Sequence, residues 1–186
     1  RIRRIDVQTG LVNTVAGRGR GFSGDDGLAT EAELAFPQDV FTGASDHLYI
    51  ADRDNDRIRK VDASTGIIST LAGNGVGEFG GDGGAAVDAS LDRPVRVLVD
   101  QAGHVYIAVK ERIRKVDAVT GVITTVAGGG ESRESGILAT SAKLSLPKDM
   151  ALDADGNLYI ATSSAIHKLD VQSGILTQLA GDGLDL

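Results

Sequence analysis

The chain has 186 residues with 26 acidic and 19 basic side chains, and its formal net charge of −7 disfavours nucleic acid and anionic lipid as partners. It has no cysteine, which excludes disulfides, and its 41% hydrophobic and 24% charged residues indicate a globular chain rather than a disordered one. No apolar run approaches the roughly 18 residues of a membrane span. We therefore predict neither a nucleic-acid nor a membrane partner.

One motif recurs along the chain. Its copies are Arg1–Gly19, Arg57–Gly75, Arg112–Gly130 and, less well matched, Ala165–Gly183. The sixth residue of every copy is an aspartate, and successive copies lie 53 to 56 residues apart. Self-similarity at a period of this size is typical of an array of supersecondary units, none of which can bury its apolar face alone.

The second unit shows the pattern most clearly. It predicts four short strands, a to d, at Asp39–Thr42, His47–Asp52, Arg57–Asp62 and Ile67–Ala72. The segments between them are polar and turn-like, and the strand segments are rich in β-branched and apolar residues without a long helical period. Four-stranded antiparallel sheets repeated in tandem are the blades of a β-propeller. The sequence therefore predicts an all-β propeller.

The same pattern divides the whole chain, which we treat as a single propeller segment over residues 1–186. It predicts a half blade at 1–17 and blades at 37–73, 94–128 and 147–181. The inter-blade blocks are 17–37, 73–94 and 128–147. About three and a half blades are thus present.

The inter-blade blocks have about 20 residues each, which is long for loops in a compact domain. Two of them end in Ala-Thr-x-Ala-x-Leu-x-x-Pro, at Ala29–Pro37 and Ala139–Pro147. This spacing predicts a single helical turn that ends before the proline. We expect Ala29, Ala32 and Leu34 to tuck their apolar side chains over a blade.

Several of these segments carry a family resemblance. RIRKVD, the TG-I-T-AG-G run, GDGG with its following Ala and Leu, and GNLYIAD together resemble the NHL-repeat family in its longer-period bacterial form. The resemblance covers essentially the whole chain. It implies a propeller, usually six-bladed, that acts mainly as an interaction platform, and it favours a secreted or periplasmic location. The family's Asp and Asn match Asp52 and Asn55, whereas Ala108–Glu111 and Thr162–Ala165 depart from the pattern.

Strand parity predicts where a ligand would bind. The b–c turns and the inter-blade blocks share one face of the propeller, here named the long-loop face, which is the usual binding face of such folds. The candidate ligand-binding residues on it are Asp25, Asp26, Arg53, Asp54, Asp56, Asp82, Lys110 and Glu111. The expected partner is a protein or peptide.

Metal and catalytic constellations have simpler interpretations. Asp52, Asp54 and Asp56 alternate as at the start of a calcium loop, but the glycine and distal glutamate of an EF-hand are missing. We therefore expect Asp52 and Asn55 to cap backbone groups, and the aspartates of GDDG and GDGG to bond amides of their own loops. His47 and His104 lie a blade apart. We predict no metal, no cofactor and no catalytic residues.

Two sets of repeated residues have structural interpretations. The arginine pairs Arg57/Arg59 and Arg112/Arg114 are expected to pair with carboxylates of neighbouring blades, such as Asp62 or Asp117. The tyrosines at one repeat position are expected in the core; they are Tyr49, Tyr106 and Tyr159.

These observations favour a non-catalytic propeller scaffold for protein or peptide interaction. The alternative is a fragment of a lactonase-like or lyase-like propeller enzyme whose metal site lies in blades that this chain does not contain. A six-bladed ring would need roughly 330 residues at this repeat length. We therefore expect a piece of a larger ring, completed by further blades in cis or by self-association.

Overall fold

The computed structural model describes residues 1–181, which form four antiparallel sheets. The first contains β1 (Ile2–Ile5) and β2 (Val12–Ala16). The second contains β3 (Pro37–Thr42), β4 (Leu48–Asp52), β5 (Arg57–Val61) and β6 (Ile68–Ala72). The third contains β7 (Arg96–Val99), β8 (Val105–Val109), β9 (Arg112–Val116) and β10 (Ile123–Gly128). The fourth contains β11 (Ile137–Leu138), β12 (Asp149–Leu152), β13 (Leu158–Ala161), β14 (Ala165–Asp170) and β15 (Ile175–Gly181).

The all-β prediction is confirmed, and the four strands predicted for the second unit are present with bounds that differ by at most two residues. Strands in each full sheet pair in chain order, and the short β11 adds to the outer strand of the fourth sheet. The helical content within residues 1–181 is confined to single 3-10 turns. They span Ala29–Glu31, Arg53–Asn55, Ala86–Asp88 and Ala139–Ser141. No helix in this part of the chain is long and apolar enough to cross a membrane.

Each hydrophobic core lies between two successive sheets rather than inside one. The core between the second and third sheets combines side chains such as Ile58 and Ile107 with Leu91 from the block that joins the sheets. Tyr49 and Tyr106 are buried as predicted, whereas Tyr159 is only half-buried. A sheet of this array therefore depends on its neighbours for stability, as expected for a repeat protein.

The inter-blade blocks seal these cores. Their leucines Leu34, Leu91 and Leu144 are at most 2% exposed, and the alanines of the 3-10 turns are buried beside them. Each block also pairs with the outer strand of the sheet that follows it, through bridges such as Leu28 to Ile67. A paired outer edge cannot recruit another strand. The blocks thus serve as both core and edge cover, and the tucked position predicted for Leu34 is confirmed.

The aspartate shared by all copies of the motif closes the turn between strands c and d. In the second unit one Asp62 oxygen accepts hydrogen bonds from the Ser64 and Thr65 backbone N–H groups and from both hydroxyls. Asp6, Asp117 and Asp170 accept the same backbone bonds in their own turns. The prediction that Asp62 or Asp117 pairs with the strand arginines is therefore wrong, because these carboxylates already accept from their own turns.

These caps predict an acid-sensitive fold. The Thr120 backbone N–H and the other turn donors lower the pKa of Asp117 below its ordinary 3.8. Its contribution to stability is therefore present above pH 3.8 and is lost as the pH falls through the folded-state pKa. We expect Asp117→Asn to unfold at lower urea concentration at pH 7 and to show a shallower loss of stability between pH 5 and pH 3. Parallel curves for variant and parent would contradict this.

Candidate functional site

A rim of three residues stands out on the long-loop face. Phe36, Arg93 and Leu146 each precede the proline that leads into the innermost strand, and each has a left-handed backbone, with φ of 54°, 47° and 46°. Residues with a Cβ rarely adopt this conformation, and the residue before a proline normally prefers an extended one. All three side chains are nevertheless exposed, Phe36 by 60% and Leu146 by 55%. Such maintained strain points to a functional surface.

The b–c turns hold this rim in place. The buried Asp52 accepts a hydrogen bond from the Ala35 N–H at 2.7 Å, and Asp56 accepts one from the Arg93 N–H at 2.9 Å. The Asn55 side chain donates to Asp52 and to the Gly21 carbonyl oxygen, so the prediction that this pair caps backbone groups is confirmed. Burial raises the pKa of Asp52, although the bonds from Asn55 and Ala35 oppose the shift. The rim backbone is thus fixed by polar contacts that do not involve its own side chains.

Inside the rim lies a recess of about 420 Å³ between the innermost strands β3, β7 and β12. Asp39, Arg96 and Asp149 line it, and each stands two residues after its repeat's proline. Arg96 Nε donates to Asp149 at 3.1 Å, and Asp39 accepts from the Val97 N–H at 2.9 Å. The sequence interpretation missed this trio. Its constant distance from the proline is the signal that could have found it.

The predicted ligand residues of the b–c turns lie at the surface beside this rim. Asp54 forms ion pairs with Arg20 Nη2, 3.5 Å from its Oδ2, and with Arg53 Nη1, 3.7 Å from its Oδ1. Lys110 is 3.9 Å from Asp92, and its neighbour Glu111 is exposed. Asp56 supports Arg93 as described above, whereas the exposed Asp26 lies away from the rim, because its N–H donates to Ile68 O on the outer strand β6. The groups of the b–c turns place both signs of charge beside the rim.

Asp25 and Asp82 have a different setting from the other candidates. Asp25 contacts Arg59 Nη2 at 2.6 Å, and Asp82 contacts Arg114 Nη2 at 2.6 Å. Both arginine side chains are 0% exposed. The prediction that these aspartates bond amides of their own loops is therefore wrong. Each aspartate reaches from its inter-blade block to an arginine in strand c of the following sheet. We call each of these two ion pairs, Asp25 with Arg59 and Asp82 with Arg114, a guanidinium lock.

An aromatic ring covers each lock. The centroid of the Phe22 ring lies 3.8 Å from Arg57 Cζ and 5.0 Å from Arg59 Cζ. Phe79 lies 3.9 Å from Arg112 and 5.0 Å from Arg114. Such cation–π contacts stabilise buried guanidinium groups. Arg59 and Arg114 thus pair with carboxylates of the inter-blade blocks and not with the predicted carboxylates of neighbouring blades.

The two locks are not equivalent. Arg59 donates to Asp25 from both Nε and Nη2 and also lies 3.5 Å from the buried Asp52. Arg114 has Val109 at the position of Asp52, and its Nε has no partner within residues 1–181. Burial lowers the pKa of Arg114, and the Asp82 charge opposes that shift. The second lock therefore depends on one carboxylate.

Within the described residues no group of three or more acidic or histidine side chains could hold a metal ion. His47 and His104 instead accept hydrogen bonds at Nδ1 from the Ala63 and Ala118 N–H groups, at 3.1 and 3.0 Å. These bonds tie the a–b turn to the c–d turn in each sheet. The histidines are thus part of the face opposite the rim.

Comparison with solved structures places this arrangement among the β-propellers. A protein of unknown function from Bacteroides thetaiotaomicron superposes with a TM-score of 0.67 at 21% identity, over 95% of this chain and 42% of that one. A streptogramin B lyase superposes with a TM-score of 0.54 at 13% identity, over 78% of this chain and 41% of that one. At these identities the likeness concerns the fold alone.

Sequence comparison finds relatives that contain NHL repeats. The model of the teneurin NHL domain matches residues 72–138. Human teneurin-1 is 36% identical over 46% of this chain, and the Arabidopsis thaliana protein SUPPRESSOR OF QUENCHING 1 is 28% identical over 93% of it. The chain spans 3% and 17% of the lengths of these relatives. The resemblance to NHL-repeat β-propellers that the motifs predicted is confirmed by these matches, and these two relatives are eukaryotic.

Proposed function

We propose that this segment is a non-catalytic propeller scaffold that binds a protein or peptide on its long-loop face. The observation that carries the proposal is the rim of Phe36, Arg93 and Leu146, whose exposed side chains rest on a strained backbone. Strain of this kind costs on the order of 1–3 kcal/mol per residue and persists where the surrounding structure imposes it. Glycine adopts this backbone without the Cβ strain, so the presence of a side chain at all three positions supports a use for these side chains.

The rim chemistry suits a peptide. Phe36 and Leu146 offer apolar anchors, and the recess inside the rim offers Arg96 with the carboxylates of Asp39 and Asp149. Binding energy in protein interfaces concentrates in a few central anchors, with aromatic and arginine side chains prominent, and polar groups around them give orientation. Loops on a rigid scaffold commonly carry recognition. The candidate residues Arg53, Asp54, Lys110 and Glu111 would then form the polar surroundings.

An enzyme fragment is the second candidate, favoured by the two carboxylates in the axial recess. Propellers described as a streptogramin B lyase and a putative gluconolactonase share the fold, with TM-scores of 0.54 and 0.50. In that case Asp39 and Asp149 would contribute to a site completed by blades outside this chain. Turnover of a lactone substrate that Asp149→Asn abolishes would favour this candidate.

The scaffold is tested by selecting peptides from a random display library on the folded chain and measuring their affinity by fluorescence anisotropy. We expect Phe36→Ala with Leu146→Ala to weaken binding of the selected peptides about tenfold or more, because anchors of this kind dominate interface energy. The matched control is Val119→Ala, which alters a side chain that is 91% exposed on the opposite face. Equal affinity for the rim variant and the parent, or weakened binding by Val119→Ala instead, would contradict the proposal.

A further inference from the structure

One asparagine of this chain is followed by glycine. The asparagines are at positions 13, 55, 74 and 157, and only Asn74 precedes a glycine, Gly75. The pair is exposed at the start of the inter-blade block 73–94, just after β6 ends. Because glycine has no Cβ, its backbone nitrogen can approach the preceding side chain closely. Asn74 is therefore the amide of this chain that its own backbone can attack most easily.

The Asn74 side chain is held against the backbone that follows it. Its Oδ1 accepts a hydrogen bond from the Val76 N–H at 2.9 Å, which closes a turn around Gly75 and brings the Asn74 Cγ towards the Gly75 nitrogen. Its Nδ2 donates to the Asp88 carbonyl oxygen at 3.0 Å and to Ser90 Oγ at 3.2 Å. These contacts keep the reacting atoms close, and the Val76 N–H can stabilise an oxyanion that forms at Oδ1.

The Gly75 N–H differs from those of similar glycines in its hydrogen bonding. Gly27, Gly83 and Gly156 each follow an aspartate, and the N–H of each donates to a backbone carbonyl oxygen. Within residues 1–181 the Gly75 N–H donates no hydrogen bond. Loss of its proton therefore breaks no contact in the described part of the chain.

The Arg57 guanidinium makes this proton more acidic. Its Nη2 donates to the Asn74 carbonyl oxygen at 2.8 Å, which draws electron density from the Gly75 nitrogen through the peptide bond. A Cβ built on Gly75 would collide with the guanidinium, so the positive charge lies directly against this peptide and favours the deprotonated nitrogen. The Phe22 ring and the Asn55 carbonyl oxygen hold the guanidinium in place.

We propose that Asn74–Gly75 is a self-modification site, at which the folded chain converts Asn74 to an aspartyl or isoaspartyl residue without an enzyme. Hydroxide removes the Gly75 proton, the nitrogen attacks the Asn74 Cγ, and the new C–N bond closes a five-membered imide. The Nδ2 group leaves as ammonia after taking a proton from water. A second water then opens the imide, so that a neutral amide becomes a carboxylate with no change of oxidation state.

The same arginine predicts which product dominates. Arg57 polarises the backbone carbonyl of the imide rather than the carbonyl derived from the Asn74 side chain. Water is therefore directed to the backbone carbonyl, and the bond that breaks there leaves an isoaspartyl linkage whose new carboxylate lies beside the guanidinium. The inference does not rest on the proposed function, because it concerns a reaction of the chain with itself.

The test is incubation of the folded chain at pH 7 and pH 8, followed by tryptic digestion and mass spectrometry. The tryptic fragment that begins at Val61 contains Asn74 as its sole amide side chain, so the mass increase from amide to acid assigns the site. We expect faster conversion at pH 8, and conversion several-fold faster than in a synthetic peptide of residues 70–79, which lacks the Arg57 contact. Labelling by an isoaspartyl methyltransferase should show the isoaspartyl product in excess. Slower conversion in the folded chain than in the peptide would overturn the proposal.

Variants separate the role of Arg57 from simple exposure of the loop. Arg57→Gln should slow the conversion to about the rate of the peptide, and Arg57→Lys, which keeps the positive charge, should retain part of the acceleration. The matched control is Arg112→Gln, since Arg112 lies in the same way against Gly129 in the next unit and should leave the conversion of Asn74 unchanged. Asn74→Gln should abolish the mass increase. Undiminished conversion in a folded Arg57→Gln variant, or an equal effect of Arg112→Gln, would show that the guanidinium does not promote the reaction.

Discussion

Replacing Asp82 by asparagine should lower the free energy of unfolding by about 3 kcal/mol, near the lower end of the cost of breaking a buried ion pair. The substitution keeps the shape and one acceptor oxygen for the Thr125 N–H but leaves the fully buried Arg114 without a carboxylate. The lower end applies because the Asp82 side chain is 35% exposed. Urea unfolding at pH 7 measures the change as a shift in midpoint.

The lock between Asp25 and Arg59 supplies the matched comparison for Asp82→Asn. Asp25→Asn removes the equivalent carboxylate, but Arg59 keeps the buried Asp52 at 3.5 Å. We therefore expect a smaller loss of stability than for Asp82→Asn. Replacing Arg114 by methionine together with Asp82→Asn should recover part of the loss, because the uncompensated charge is gone. Equal losses of stability for Asp25→Asn and Asp82→Asn would show that Asp52 does not compensate the charge of Arg59.

Truncation of Leu91 to alanine is expected to cost about 3–4 kcal/mol, the range for a fully buried leucine whose site cannot collapse. Leu91 is 0% exposed and belongs to the core between the second and third sheets. Loss of this side chain leaves a cavity at a joint that both sheets need, so urea should unfold the variant at a clearly lower concentration.

The control lies in the same inter-blade block. Val87 is 47% exposed on the 3-10 turn that precedes Leu91, so Val87→Ala removes a similar side chain without opening a cavity. We expect the free energy of unfolding of Val87→Ala to differ from that of the parent by less than about 0.5 kcal/mol, as for ordinary surface substitutions. A similar loss for both variants would mean that the block is not specifically packed through its leucine.

The fold could be predicted because local signals repeat. The motif at Arg57–Gly75 recurs with turn residues and β-branched strands in the same order, so each copy confirms the others. The tucked Leu34 and the capping by Asp52 were also accessible, since each follows from residues close in sequence to a turn or a proline. Local propensity and local geometry agree in these segments, so their structure can be predicted from the sequence.

The locks could not be assigned in the same way. Asp25 and Arg59 are 34 residues apart, and their meeting depends on how a block crosses to the next sheet. The nearer Asp62 appeared a better partner for the strand arginines, but one of its oxygens is engaged by its own turn and the other lies 3.6 Å from His47 Nδ1. Likewise the trio of Asp39, Arg96 and Asp149 comes together only because three innermost strands adjoin. Tertiary pairing of this kind leaves little trace in a single copy of the motif.

The contact of block 128–147 with β14 and β15 required both sequence alignment and the structure to describe. His167 aligns with the buried arginines in the sequence, but the alignment alone does not show whether the space they fill is closed or open. The structure places a serine, a histidine and a glutamine where the other joints have an aspartate, an arginine and a threonine. A recess lies beside these replacements, and its lining includes Arg133 and Glu134 from the block as well as His167 and Gln178 from the strands.

The left-handed residues before the prolines give the array an evolutionary freedom. Their backbone is fixed by contacts from neighbouring turns, such as the bond from the Arg93 N–H to Asp56, and their side chains point to solvent. Substitution there can change what the surface offers while the cores between sheets stay intact. Phenylalanine, arginine and leucine already occupy the three equivalent positions. Duplication of such a unit followed by drift at one residue is a simple route by which ancestral copies acquire new specificities.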